Sequence, residues 1–330
     1  MDLMNKMSPP KSVDPLTVLP RELAETILEY LSFKQRMNAC FVSKSWTQFI
    51  RSCPDLWRHL DLTHTRGKVK NAFISRAINV GRHKLCQVTL ANLWDFDKAL
   101  AALIRNCPIE SMTLLGTSLQ GKSVNTIIED AKQLKKLTLG PDILLSLKEI
   151  SSIMTALSNR LEELDCRRIA PVYEHHHACE YPMFPQMRLL SVNLRDASHL
   201  TFRPFITIAT QRAAALESLS MQVSHPHMAV RSTMLFPCAH MHLTTLDITV
   251  PGMRASQMQL PPSLIRLHVR SAHRLSNDFW MEPSPNGLEP TTFHLPNLEE
   301  LHLEVWAMII HNALFALGGK DSPVSVAVLL

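Results

Sequence analysis

Between Leu19 and Leu62 the apolar residues fall into three short stripes. In the first, Leu23, Ile27, Leu28 and Leu31 recur three and four residues apart, the spacing of one helix face. Pro20 fits the first turn of that helix, where its missing N–H costs nothing. A second stripe, from Phe33 to about Cys40, carries Met37, Cys40 and Phe41 at its end. The third carries Trp46, Phe49, Ile50 and Cys53 and stops at Cys53-Pro54. Ser43 and Ser45 are both suited to cap it. A three-helix unit this short buries little core by itself. Leu19, Pro20 and Leu31 extend the first stripe to both ends. That is more apolar surface than three short helices cover mutually, so the stripe implies a partner.

From Trp57 onward the pattern changes to apolar–x–x–apolar–x–apolar. It starts at Trp57, Leu85, Ile109, Leu134, Leu161, Met187, Leu216, Leu243, Leu264 and Leu298. Seven of the nine spacings lie between 24 and 29 residues; the last two are 21 and 34. Each unit holds a short strand whose alternate residues point inward. Between strands the spacing turns helical, as from Phe96 to Asn106 and from Ile143 to Leu157. One such unit cannot bury its apolar face, but stacked units share a continuous core. Pattern and period are those of leucine-rich repeats. The expected fold class is therefore α/β: a three-helix unit, then a solenoid with a curved parallel sheet and outer helices. An ordinary α/β domain, with longer apolar strands and less regular connections, is the competing architecture. The stretches Pro171 to Pro185 and Asn277 to Pro290 interrupt the array and read as loops.

The three-helix stretch resembles an F-box. The matching residues are Leu19-Pro20, Glu22-Leu23, Ile27-Leu28, Leu31, Val42-Ser43-Lys44-Ser45-Trp46 and Pro54-Asp55-Leu56-Trp57. The resemblance implies docking onto the Skp-type adaptor of a cullin ubiquitin ligase, and through it onto the cullin and RING subunits. It assigns Leu19, Pro20, Leu23, Ile27, Leu28 and Leu31 to adaptor contact or its immediate support. Trp46 and Trp57 are assigned to the F-box core and its junction with the first repeats. The expected organisation is a disordered segment at 1–13, the F-box at 14–62, the solenoid at 63–320 and a C-terminal tail at 321–330. The function implied is that of a substrate receptor, with the repeats binding an unknown target protein. A repeat scaffold that uses the helices only as a folded cap is the alternative.

Composition adds three constraints. The chain has 330 residues, 46% hydrophobic, with only 9 glycines, which marks folded material. Its 7 cysteines are scattered without a Cys-x-x-Cys pair, as in a reducing compartment. Met1 to Val13 has no apolar core for a signal peptide, and the apolar run from Val305 to Leu317 is too short to span a bilayer. A soluble cytoplasmic or nuclear protein without a membrane partner is expected. Residues 1–84 hold 14 basic and 7 acidic side chains. Arg66, Lys68, Lys70, Arg76, Arg82 and Lys84 follow one another with no acid between. A solvated helix face is the preferred reading of this run. A nucleic-acid patch or chromatin role is the sharper one, held back by the lack of interleaved aromatics.

Candidate chemistry is sparse. His175, His176, His177 and Cys179 are zinc-ligand types, but adjacent histidines on an extended chain point to opposite sides. A polar loop is expected there, with no metal and no cofactor. Cys179 and Cys238 lack a base placed beside them, so neither is expected to be a nucleophile. No phosphate-binding loop or nucleophile elbow occurs. The chain reads as non-catalytic. The strand positions that point away from the core offer a different kind of site. They run Thr89, Thr113, Thr138, Asp165, Ser191, Ser220, Asp247, His268 and His302, with Arg167, Asn193, Gln222 and Arg270 among those two residues on. Polarity rises from the fourth strand of this series. Specific recognition needs placed polar groups on a rigid surface. Asp165, Arg167, Asn193, Asp247, His268, Arg270 and His302 are therefore the expected target contacts.

Overall fold

The computed structural model describes residues 14–65, 67–116, 119, 121–170, 181–194, 204–223, 236–238, 241–250, 258–275, 281–284, 287–290, 293–305 and 325–329. Four helices open the chain: α1 (Pro15–Val18), α2 (Arg21–Glu29), α3 (Phe33–Ala39) and α4 (Lys44–Ser52). A 3₁₀ turn, Pro54–Trp57, leads into strand β1 (His59–Asp61). The turn α1 was not visible in the apolar pattern, because only Leu16 and Val18 are apolar there besides its proline. Pro20 is the N-cap of α2 rather than a residue of its first turn. Ser32 and Gln35 form a reciprocal capping box on α3. Ser43, not Ser45, caps α4 by accepting from the Trp46 amide at 3.2 Å.

Strands and helices then alternate: α5 (Asn71–Val80), β2 (Gln87–Leu90), α6 (Phe96–Asn106), β3 (Ser111–Leu114), α7 (Gly121–Asp130), β4 (Lys136–Leu139) and α8 (Leu147–Leu157). The second half holds β5 (Glu163–Ile169), β6 (Leu189–Leu194), β7 (Ser218–Val223), β8 (Phe236–Pro237), β9 (Thr245–Val250) and β10 (Met258–Gln259). It continues with β11 (Arg266–Leu275), β12 (Met281–Ser284), β13 (Gly287–Pro290), β14 (Glu300–Val305) and β15 (Ser325–Leu329). Helix α6 spans the stretch expected from its spacing. Helix α8 starts four residues later than the apolar pattern, because Ser146 caps it together with Glu149. Ile143 and Leu145 are instead buried ahead of the helix.

Eleven strands form one open sheet in the order β1-β2-β3-β4-β5-β6-β7-β9-β11-β14-β15, every pair parallel. Two apolar ladders cross it in register. One runs from Leu60 through Val88, Met112, Leu137, Leu164, Leu190, Leu219, Leu246, Leu267 and Leu301 to the position of Val326. The other runs from Leu90 through Leu114, Leu139, Cys166, Val192, Met221, Ile248 and Val269 to Leu303. The residues that open the repeats, Leu85 to Leu298, are also buried. Just before the strands a third series alternates in charge: Glu110, Lys135, Glu162, Arg188 and Glu217, joined by backbone hydrogen bonds of 2.8–2.9 Å. Lys135 and Glu110 pair at 3.3 Å. Such exposed pairs add little stability, but like charges in this register would repel.

Helices α5 to α8 cover one face between β1 and β5. Beyond β5 the described connections carry a single helical stretch, at 204–212, which ends in a π-turn. Pro171 to Pro185 lies mostly outside the described residues. The stretch Asn277 to Pro290, read as a loop, contains the antiparallel pair β12–β13. Cross-strand pairing there outweighs the prolines, since Pro283 and Pro290 sit in a two-stranded ribbon where few N–H donors are needed. Strand β15 extends the sheet from within the stretch expected as a tail. Residues 1–13 lie outside the described residues. No helix among the described residues is long and apolar enough to cross a membrane.

Because Leu164 is fully buried at the centre of its ladder, Leu164→Ala is expected to cost about 2–5 kcal/mol in urea unfolding. Lys135→Ala, removing one exposed pair, is expected to cost less than about 1 kcal/mol in the same measurement.

Candidate functional site

Helix α2 exists because its apolar residues repeat at helical spacing, but its faces have different fates. Ala24 and Leu28 are buried, and Leu31 packs against the core. Leu23 and Ile27, four residues apart, remain 53% and 52% exposed, and Tyr30 after the last turn is 87% exposed. Spacing of four and three residues puts these three on one face. Val18, Phe41 and Val42 are further exposed apolar side chains of the same unit. Of the six residues assigned from the sequence, Pro20, Leu23 and Ile27 are exposed, Leu19 and Leu31 half-buried, and Leu28 buried. Leu28 supports the face rather than forming it. Tyr30, Val18, Phe41 and Val42 are exposed apolar residues outside the six, since periodicity does not say which apolar positions a neighbour covers.

The unit is held closed at both ends. Asp14 accepts from the Leu16 amide at 3.0 Å, the Trp46 indole at 2.9 Å and the Ser45 hydroxyl at 3.1 Å, tying α1 to α4. The Leu16 amide above all, with the Trp46 and Ser45 donors, holds the Asp14 carboxyl below its ordinary value. At the other end Trp57 is buried, and its indole donates to the Ile50 carbonyl at 2.9 Å. Its ring meets Phe33 edge-on at 5.4 Å, and Phe33 meets Phe73 of α5 at 5.9 Å. Trp57 thus joins α3 and α4 to the first strand–helix unit, the role expected of it.

Residues 16–63 match the F-box-like family. The chain carries an F-box-like domain. The match ends within two residues of β1, where Trp57 and Leu60 enter the sheet core. No curated protein matches the chain.

The second candidate surface is the sheet face that points away from the apolar ladders. Thr89, Thr113, Thr138, Asp165, Ser191, Ser220, Asp247, His268 and His302 stand in register across it, all partly exposed. Asp165 accepts from the Ser191 hydroxyl at 2.9 Å and from Arg167 Nε at 3.1 Å. Asp247 accepts from Gln222 Nε2 at 2.7 Å. Arg270 Nε and His268 Nδ1 approach Asp247 at 3.5 and 3.7 Å. The His268 and His302 rings lie 5.3 Å apart. The seven residues expected to contact a target thus gather into two groups. Asp165, Arg167 and Asn193 line a hollow of about 330 Å³, and Asp247, His268, Arg270 and His302 form the second group. Gln222 lines the hollow and binds Asp247, linking the two. Ala91, Gly140 and Thr249, two residues beyond Thr89, Thr138 and Asp247, are buried.

Other candidates resolve simply. The His175–Cys179 cluster lies outside the described residues. Among the described residues no group of three or more His, Cys, Asp or Glu could hold a metal ion. Cys238 is fully buried and its thiol is pushed up to about 12 by burial, as is that of Cys166. Of the basic run, Lys68 lies 5.5 Å from the Trp94 ring centroid, and Trp94 is itself exposed. The fold therefore supplies one aromatic that sequence distance hid.

Asp14→Ala is expected to abolish amide-exchange protection of α1 and to change the Trp46 environment. The native carboxyl value is depressed, so its stabilising contribution is present above the unfolded carboxylate value and disappears as pH falls through the native one. Acidified wild type should therefore approach the neutral-pH exchange and fluorescence of Asp14→Ala. Cys238, buried with a raised value, is expected to resist alkylation at pH 8 in the folded protein, as followed by mass spectrometry; labelling as fast as in urea would restore it as a nucleophile candidate.

Proposed function

We propose that the chain is the substrate-receptor subunit of an SCF-type cullin ubiquitin ligase. The F-box-like domain at 16–63 carries this reading, since such domains dock Skp-type adaptors. Its exposed stripe of Leu23, Ile27 and Tyr30 gives an apolar helix face of the kind that a partner groove buries. Leu19, Pro20 and Leu31 flank that face, and Leu28 backs it from the core. The sheet domain is read as a leucine-rich-repeat solenoid. The in-register ladders, the period near 24–29 residues and the strand–helix alternation through β5 support that reading. Its open polar face would hold the target protein.

In this role the chain performs no bond chemistry. The adaptor links it to the cullin, and the cullin brings the RING subunit with its charged conjugating enzyme. The receptor holds a target lysine near the thioester, which turns a bimolecular encounter into a local one. Strength of the tether and rigidity of the joint decide how well it does so. Trp57, packed between the F-box helices and the first repeat, is the rigid joint on which that geometry depends.

Co-expression with a Skp-type adaptor tests the reading. A stoichiometric complex is expected from wild type. Burial of a Leu or Ile side chain stabilises by roughly 1.5–3 kcal/mol, so Leu23→Asp/Ile27→Asp should weaken the complex at least about a hundredfold. Both side chains are half exposed, so the fold should persist, as circular dichroism would report. Absence of any complex with the folded wild type would leave the plain repeat scaffold as the better account.

A further inference from the structure

The hollow on the open face has a distinctive hydrogen-bonding inventory. Asp165 has both oxygens engaged, one by Ser191 and one by Arg167 Nε. The two terminal nitrogens of Arg167 have no protein partner among the described residues, and its side chain is 58% exposed. Gln222 also lines the hollow, and its orientation is forced from behind. A carboxylate only accepts, so the side-chain amide must turn its NH₂ group to Asp247. That leaves Gln222 Oε1 as an acceptor without a partner among the described residues. Beside Asn193, which also lines it and is already engaged within the protein, the hollow thus offers a donor fork and a carbonyl acceptor. The charges of Asp165 and Arg167 cancel.

A ligand that answers both groups must itself carry an acceptor and a donor and be neutral. An amide does this, its carbonyl on the Arg167 fork and its N–H on Gln222. A carboxylate or phosphate would offer oxygens to Gln222 Oε1, which cannot donate. Its charge would also gain little from an Arg167 already neutralised by Asp165. We propose that this hollow is an amide-recognition pocket, which selects a carboxamide side chain or a backbone peptide group of the bound target. The proposal deepens, and rests on, the reading of this face as the target-binding surface. It makes recognition at this point independent of acidic or phosphorylated residues.

Small probes test the pocket without knowledge of the target. Propionamide stands for a side-chain carboxamide and N-methylacetamide for the backbone. Propionate and inorganic phosphate stand for the charged competitors. The readout is the ¹H–¹⁵N resonances of Gln222 Nε2 and Arg167 Nε in the full chain. One or both amides are expected to shift these signals saturably, and whichever saturates at lower concentration identifies the source. The shift should vanish in Arg167→Met and in Gln222→Leu, with urea unfolding confirming that each variant folds. A larger saturable shift with propionate or phosphate, or no saturable shift with any probe, overturns the pocket. Those outcomes are separate from the fate of the target-binding reading. That reading fails if alanine at Asp165, Asn193, Asp247, His268 and His302 together leaves target capture unchanged.

Discussion

Each strand of the main sheet from β2 to β14 sends two apolar side chains to the same side, and neither can leave water unless the neighbouring strand matches it in register. A slip of one residue would turn Leu164 and Cys166 outward and Asp165 inward, burying a carboxylate against leucine. The ladders from Leu60 to Leu301 and from Leu90 to Leu303 therefore specify one stacking. Everything functional inherits that order. The polar residues stand in line only because the leucines between them do.

The F-box-like domain solves a different problem. Its helices are too short to stand alone, and their core is completed from outside by Phe73 and the strand β1 region. Trp57 carries the connection, because its large ring fills the junction while its N–H finds the Ile50 carbonyl. That arrangement leaves Leu28 and Ala24 buried and Leu23, Ile27 and Tyr30 exposed. The domain is anchored on one side and open on the other, which suits a connector between two larger bodies.

The open sheet face changes character along the chain. Its strands β2 to β4 present threonines, and β5 and β9 present the carboxylates of Asp165 and Asp247, each hydrogen-bonded to side chains beside it. Asp165 and Asp247 are about one-fifth exposed. Both oxygens of Asp165 are hydrogen-bonded within the fold, whereas Asp247 accepts from Gln222 at one oxygen, and its other, buried oxygen has Arg270 Nε at 3.5 Å without a hydrogen bond among the described residues. Polar groups held this way keep their geometry without a ligand, so binding costs little further ordering. The charged residues are thus scaffolding for the groups beside them as much as contacts in their own right.

Legible in the amino-acid sequence were three of the four N-terminal helices, the spacing of the strands and the inward positions of the main-sheet strands from β2 to β14. Those features follow from local spacing: a helix or strand repeats its faces every few residues, and the apolar pattern records which face is buried. Helix α6 was legible to its end residues for that reason. Tertiary packing alone settled which apolar residues of α2 stay in water, since α2 is covered by the turn Pro54–Trp57, roughly 30 residues further along the chain. It also decided that Gln222 turns its NH₂ to Asp247, that Lys68 reaches Trp94, and that β12 pairs with β13. The first two contacts join residues about 25 positions apart, which only the parallel pairing of neighbouring segments brings together, while β12 and β13 pair locally in a two-stranded sheet of their own.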